Sequence, residues 1–435
     1  MTEIESLKKS VQLAELVHNG ETPDIVAPIF PGLGCGFFAV SFIVPLITRS
    51  SAVMIAPALC SYNARLIMSR FEQSSLLLEN NLIFLLYEED DIIHGAADKI
   101  KQSLIDFYNR KNPDLLFVVT SCLPEIVGED IEAVVQEVRE IIKSPVLVIR
   151  TENFTNISSM QGVERTFASL IDIMEPPSNQ EDKLVNIIGF SAYKSRNSEL
   201  ERILTSAGFT INSTIPSFGD ISGIKQATNA RFNIILDRGC TLLAQKMKEI
   251  YNIDYVLFDQ AYYPETIYSE YDKIGDLLST DLSSIIRPLY EDCSEYISAK
   301  KKSQGKETCI ISLGNGRVFD LAHLLFTMGY NIPVLALDEL SDQDRQDASA
   351  LYSKGCNPEI IRNASCYPLE EYMSRIKPDY YLTYAGYEQK MCTLHKIRYR
   401  NLYPYNYTNG FERSKQVLQD IFSENPGEFN HVEGF

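Results

Sequence analysis

Three cysteines stand where a folded chain could present thiolates together. Cys35 lies in Pro31-Gly-Leu-Gly-Cys-Gly36, Cys60 follows the apolar run Ala52–Ala56, and Cys122 follows Leu115–Thr120. After Cys122, Pro124-Glu-Ile-Val-Gly-Glu-Asp-Ile-Glu-Ala-Val134 reads as a helix entered through a tight turn, so its sulfur is expected at the C-terminal end of a parallel strand. Cys60 reads the same way, with Ser61-Tyr-Asn-Ala-Arg65 opening the next helix, and Cys35 directly precedes an apolar helix that starts at Phe37. Ligands gather at such turns in open α/β sheets. Unpaired N–H groups at a helix start favour thiolate over thiol, and thiolate is the form that binds iron. The glycines around Cys35 let backbone approach a bulky group closely. Three thiolates converging in this way would suit an iron–sulfur centre. Taken singly, each cysteine also reads as a small buried hydrophobe.

The elements that would carry these residues follow from the hydropathy pattern. Apolar runs at Ala52–Ala56, Leu115–Thr120, Val146–Arg150, Val185–Phe190, Phe232–Leu236, Tyr255–Phe258, Thr308–Leu313, Val334–Leu337 and Tyr380–Thr383 alternate with amphipathic stretches. Such alternation predicts βαβ units. Polar interruptions at 175–182 and 298–307 divide them. The expectation is an α/β protein of three Rossmann-like domains, with parallel β-sheets flanked by helices, at 1–178, 183–297 and 307–435.

A net charge of −18 over 435 residues disfavours nucleic acid and anionic lipid as partners. The charged start, MTEIESLKKSVQLAELV, lacks the pattern of a secretory signal. The most apolar run, Phe37 to Ile47, falls well short of the roughly 20 residues of a membrane span and reads as a buried helix. A cytoplasmic location is expected, without membrane association. In that compartment nine cysteines argue for ligation, catalysis or packing rather than disulfides.

The segment Thr120-Ser-Cys-Leu-Pro-Glu-Ile-Val-Gly-Glu-Asp-Ile-Glu132 resembles the third cluster-binding motif of the nitrogenase component 1 superfamily. Ala56-Pro-Ala-Leu-Cys-Ser61 is similar to its second motif and Gly32-Leu-Gly-Cys-Gly36 to its first, and weaker likeness runs along nearly the whole chain. The resemblance implies an iron–sulfur cluster, 4Fe-4S or P-cluster-like, on Cys35, Cys60 and Cys122. It also implies an oligomer handled under anaerobic conditions. The expected partners are an ATP-dependent iron protein that delivers electrons, and a second component 1-like subunit or a second copy of this chain. Three cysteines leave a cubane one ligand short; a second chain, a carboxylate or solvent would supply the fourth. Two positions depart from the pattern. Asp237, with Cys240 three residues on, stands where relatives hold a molybdenum-type cofactor with a cysteine, and Tyr403 stands where they use a histidine. No molybdenum cofactor is expected, although Cys240 would restore the first contact if the turn shifts.

Other candidates read more plainly. Gly314-Asn-Gly-Arg317 opens a helix and could hold an anion with help from Arg317, but a structural turn is the simpler reading. No G-x-x-x-x-G-K-[ST] occurs, which assigns ATP hydrolysis to another polypeptide. Cys392 and His395 share a helix face without the second pair a zinc site needs. Cys293, Cys309, Cys356 and Cys366 read as packing residues, and His323 as a satisfied buried group. Tyr399–Tyr407 would line a cavity, form an aromatic interface or pack in a core. Three functions remain open: a nitrogenase-like oxidoreductase with an unidentified substrate, a scaffold for metallocofactor assembly, and a metal-free two-lobed α/β ligand-binding protein.

Overall fold

The computed structural model describes residues 10–24, 35–68, 81–151, 159–189, 197–216, 221–301, 307–314, 316–362, 366–384 and 388–423. Its strands form three sheets flanked by helices. Strands β1 (Ser10–Gln12), β2 (Ser50–Ala56), β3 (Leu82–Leu86), β4 (Leu115–Thr120), β5 (Val146–Arg150), β6 (Glu181–Ile188) and β7 (Thr210–Ile215) come first. They are followed by β8 (Ala230–Ile235), β9 (Asp254–Leu257), β10 (Thr308–Gly314), β11 (Asn331–Leu337), β12 (Glu359–Arg362), β13 (Tyr380–Thr383) and β14 (Arg398–Asn401). The sheet orders are β3-β2-β4-β5, β7-β6-β8-β9 and β1-β12-β11-β10-β13-β14. Among the described residues every pairing is parallel except that of β1 with β12. The expected α/β class with helix-flanked parallel sheets is therefore observed. By contacts the chain groups into two compact units, one of Met1–Ile29, Asn197–Ser206 and Asp259–Phe435, the other of Phe30–Arg196 and Ala207–Phe258.

In the second unit, β2 and β4 are buried along their whole length. Their side chains alternate between two cores, as a period of two requires. Ala52, Met54, Leu115, Phe117 and Val119 face one core with Phe37, Val40 and Phe167. Val53, Ile55, Leu116 and Val118 face the other, with Ile100, Leu104, Val135 and Val138. Ile188, Ile215 and Ile235 of the second sheet join the first of these cores. The run from Phe37 is helical over Gly36–Ile43 and then tightens to a 3-10 turn, Val44–Leu46, where Pro45 lacks the N–H an α-helix needs.

The six-stranded sheet of the first unit is also covered on both faces: Ile311, Leu313 and Leu335 lie on one side, and Ile310, Val334 and Tyr381 on the other. The linker expected over 298–307 begins later than its composition suggests. A helix, Ser283–Lys300, runs into it, because Ala and Lys are good helix formers and lysine suits a helix C-terminus; residues 302–306 lie outside the described residues.

The surroundings of Arg317 favour the structural reading of its turn over an anion site. Its guanidinium is buried and donates to Asp347 at 2.8 and 3.1 Å and to Glu270 at 2.7 Å, with Asp320 and Asp259 each 3.9 Å away. Asp320 in turn accepts the N–H groups of Tyr262 and Tyr263 and the Thr266 hydroxyl at the start of the helix Pro264–Leu277. Arg317 is thus committed to carboxylates that anchor helices. Burial pushes the Glu270 carboxyl up to about 7, and Arg317 opposes this while Asp259 and Asp320 add to it. Because its pKa is raised on folding, the stability that proton uptake at Glu270 supplies is full below its ordinary 4.5 and fades as pH rises through about 7. Glu270→Gln should flatten the urea-melt stability profile across that window. Arg317→Met should cost about 3–5 kcal/mol near pH 7, because it leaves buried carboxylates without their cation.

Candidate metal centre

Cys60 and Cys122 follow neighbouring parallel strands, β2 and β4, which pair up to Ile55 and Thr120. Cys122 is the first residue of the helix Cys122–Val127, with Ser121 as its N-cap, and the Ser121 N–H donates to Ile55 O at 3.0 Å. Cys60 corrects the reading made from sequence: its helix starts at Ala58, so Cys60 lies within the first turn rather than ahead of it. Pro57 accounts for the difference, since its carbonyl already receives the Ser61 N–H at 3.1 Å.

Cys35 is the extended N-cap of the helix Gly36–Ile43. A Cβ placed on Gly36 would meet the Gly162 backbone at 3.2 Å and Thr151 Cβ at 3.5 Å. Thr151 closes the end of β5 onto β4, donating its N–H and hydroxyl to Thr120 O at 3.2 and 2.6 Å. These contacts bring Cys35 to the same C-terminal edge as the other two cysteines.

The thiols feel one another electrostatically. Burial raises the Cys35 pKa, the N–H groups of Phe38 and Phe37 pull it down, and the charges of Cys60 and Cys122 raise it. Burial and then the Cys122 charge raise Cys60. Cys60 is exposed, so its coupling to Cys122 is the more telling of these causes. With their pKa raised, Cys35 and Cys60 rest as thiols in the bare chain, and a bound metal would have to displace their protons. Among the described residues, however, no three His, Cys, Asp or Glu side chains close around a single ion. The described residues therefore do not form a mononuclear site such as zinc takes. A polynuclear group, with each thiolate reaching a different iron, tolerates wider separation. Two buried hydroxyls beside these cysteines, those of Ser61 and Ser121, lack hydrogen-bond partners, so the edge also has polar capacity that the chain itself leaves unused.

The acidic residues after Cys122 serve the architecture. Glu125 accepts from Thr120 and Arg150. Glu129 accepts the Ala96 N–H at 3.0 Å and the Tyr87 hydroxyl at 2.9 Å, and Asp130 caps the helix Ile131–Arg139 through Ala133 N–H.

The other residues singled out from sequence have the following local surroundings. Asp237 is the N-cap of the 3-10 turn Arg238–Cys240 and lies against Gly189. Cys240 is fully buried in the apolar core, which pushes its thiol well up. Tyr403 opens the 3-10 turn Tyr403–Tyr407 and donates its N–H to Asn401 at 3.0 Å. In that stretch, Tyr405 O and Asn406 receive the guanidinium of Arg413, which also donates to Tyr262 and Tyr384 at 2.8 Å. Hydropathy gave no hint of this fully buried arginine.

His323 is stacked on Tyr263 at 4.1 Å but is not satisfied, since its Nε2 is buried without a partner. Cys392 is buried, while His395 faces Glu370 at 3.9 Å. Cys293, Cys309 and Cys356 are buried; the Cys366 side chain, Pro31–Gly34, the stretch 152–158 and the tail from 424 lie outside the described residues.

Comparisons with known proteins identify the family. The chain is 23% identical over 346 residues to the nitrogenase iron-molybdenum cofactor biosynthesis protein NifE of Sinorhizobium fredii, covering 75% of this chain and 69% of that protein. It is 23% identical over 349 residues to the nitrogenase molybdenum-iron protein alpha chain of Methanothermobacter thermautotrophicus, covering 77% and 73%. Its fold is similar to that of a chain of nitrogenase Cp1 at pH 5, with a TM-score of 0.71 at 18% identity over 95% of this chain and 93% of the other. Residues 35–423 match the family described as Nitrogenase component 1 type Oxidoreductase, and the chain belongs to that family.

Proposed function

We propose that this chain is the iron–sulfur subunit of a nitrogenase-like oxidoreductase, in which Cys35, Cys60 and Cys122 hold a cluster that receives electrons from an ATP-dependent iron protein. The observation that carries this reading is the placement of Cys60 and Cys122 at the helix starts that follow the paired parallel strands β2 and β4, with Cys35 capping a helix that the Gly36–Gly162 contact holds at the same edge. The cluster supplies one-electron chemistry; the protein holds and tunes it. Cys35, Cys60 and Cys122 present thiolates, the Phe37 and Phe38 N–H groups stabilise the charge on Cys35, and the buried strands β2 and β4 fix the edge that carries the other two.

Exposed apolar side chains flank the cysteines. Leu59 and Tyr62 stand beside Cys60, and Ile126 and Val127 follow Cys122; Tyr62 is 62% and Ile126 63% exposed. Apolar surface rimming an open thiol supports a covering partner, either a second component 1-like subunit or a second copy of this chain, which would also supply the missing ligand. The proposed site of action is the cytoplasm, where an iron protein and its ATP are at hand. Among the described residues no helix is long and apolar enough to cross a membrane.

A scaffold role in metallocofactor assembly is the second reading, favoured by the likeness to a cofactor biosynthesis protein over three quarters of the chain. Asp237 and Tyr403 weigh against a molybdenum cofactor in either role, because carboxylate and phenol are poor replacements for thiolate on a sulfide-bound iron and for imidazole.

Cys122→Ser should abolish iron binding and bleach the visible absorbance of anaerobically purified protein, whereas Cys240→Ser should retain both and lose only stability, by about 1–3 kcal/mol for an unpaired buried hydroxyl. Full iron in Cys122→Ser would remove the ligand assignment. Metal analysis of the native complex should find iron without molybdenum, and the purified chain should not hydrolyse ATP. Stoichiometric molybdenum would overturn the cofactor reading, and strong ATPase activity the division of labour.

A further inference from the structure

The two unpaired hydroxyls at the cysteine edge call for a partner. Ser61 follows Cys60 in the first turn of the helix Ala58–Met68, and Ser121 precedes Cys122 as a helix N-cap. They are 4% and 2% exposed, and neither Oγ meets a donor or acceptor. An N-cap serine normally turns its oxygen toward the backbone N–H two or three residues on; Ser121 does not bond the Leu123 N–H, and Pro124, the third residue on, has no N–H to offer. Other hydroxyls at this edge are paired: Thr120 donates to Glu125 and Thr151 to Thr120 O. A buried hydroxyl that forgoes such bonds forfeits its hydration without compensation, and an unseen group is one of the few explanations for it. Both orphans sit one residue from a proposed ligand, on the turns after adjacent strands.

We propose that Ser61 and Ser121 are positioning residues that donate O–H···S hydrogen bonds to the iron–sulfur group and raise its reduction potential; this rests on the reading of the three cysteines as ligands. Reduction adds one electron, delivered by the iron protein, and makes the sulfurs more negative without making or breaking a covalent bond. A donor therefore stabilises the reduced form more than the oxidised form. Removing it lowers the potential.

The test is a redox titration followed by electron paramagnetic resonance on the anaerobically purified, iron-loaded protein in the assembly in which it is isolated. Ser121→Ala and Ser61→Ala should each keep their iron and reduce the ratio of reduced to oxidised cluster at fixed potential about tenfold, a shift of about 59 mV for one electron. Ser121→Thr should restore the wild-type midpoint. Ser144→Ala, at a paired hydroxyl that donates to Pro113 O, should leave it unchanged. Alanine variants with full iron and a wild-type midpoint would overturn the inference. If Ser121→Ala does not fold, Ser61→Ala decides the matter alone. Wild-type protein that binds no iron would instead refute the ligand reading, an outcome distinct from an iron-loaded chain whose potential ignores both hydroxyls.

Discussion

A backbone contact between two glycines governs the cysteine edge. A Cβ on Gly162 would lie 2.3 Å from Gly36 O, closer than any side chain can approach. The helices Gly36–Ile43 and Ser159–Ser169 therefore cross main chain to main chain, and the start of the first, with Cys35 as its cap, is located by peptide atoms rather than by rotamers. The turn Arg238–Cys240 reaches the same second helix through another glycine: a Cβ on Gly239 would lie 2.5 Å from the Val163 side chain. One helix thus registers both the cysteine edge and the turn that carries Asp237, and its Phe167 enters the core shared by two sheets. Bulk added at either glycine would shift elements rather than fill space.

The first unit handles its polar interior differently. Glu199 accepts the N–H groups of Phe411 and Glu412 and the hydroxyl of Tyr271, placing a carboxylate at the start of the helix Gly410–Phe422. Gly410, at φ +64, leaves the room that this carboxylate fills. Arg317 ties carboxylates together and Arg413 clamps a 3-10 turn. These buried charges are engaged in holding helices and turns, which explains why motifs suggestive of chemistry in that half of the chain resolve into architecture.

What the sequence disclosed follows the physics of burial. The central strands β4 and β13 match their apolar runs, because strands covered on both faces read as continuous hydrophobic stretches. The strands it did not disclose are mostly edges. β1, β7 and β14 carry Ser, Gln, Asn, Thr and Arg and have a neighbour on one side only, so their polarity hides them. The cysteine positions were legible because turns after parallel strands have a recognisable grammar. Neither the contact of Gly162 with Gly36, nor the lack of partners at the Ser61 and Ser121 hydroxyls, nor the engagement of Arg317 could be read there, since each depends on how segments distant in sequence meet in space.

The pairing of β1 with β12 has a consequence for biosynthesis. Ser10 bonds to Glu359 across 349 positions, and the unit they share is assembled from three separate stretches of chain, whereas the other unit is complete by residue 258. At roughly 5–20 residues per second, about 20–70 s pass between the appearance of β1 and that of its partner on the ribosome. The cysteine-bearing unit can therefore close around its sheets while the opening segment still waits, its edge-pairing groups unsheltered. Synthesis order thus separates the half that carries the thiols from the half that completes last, and makes the nascent first segment the natural point of vulnerability to misassembly.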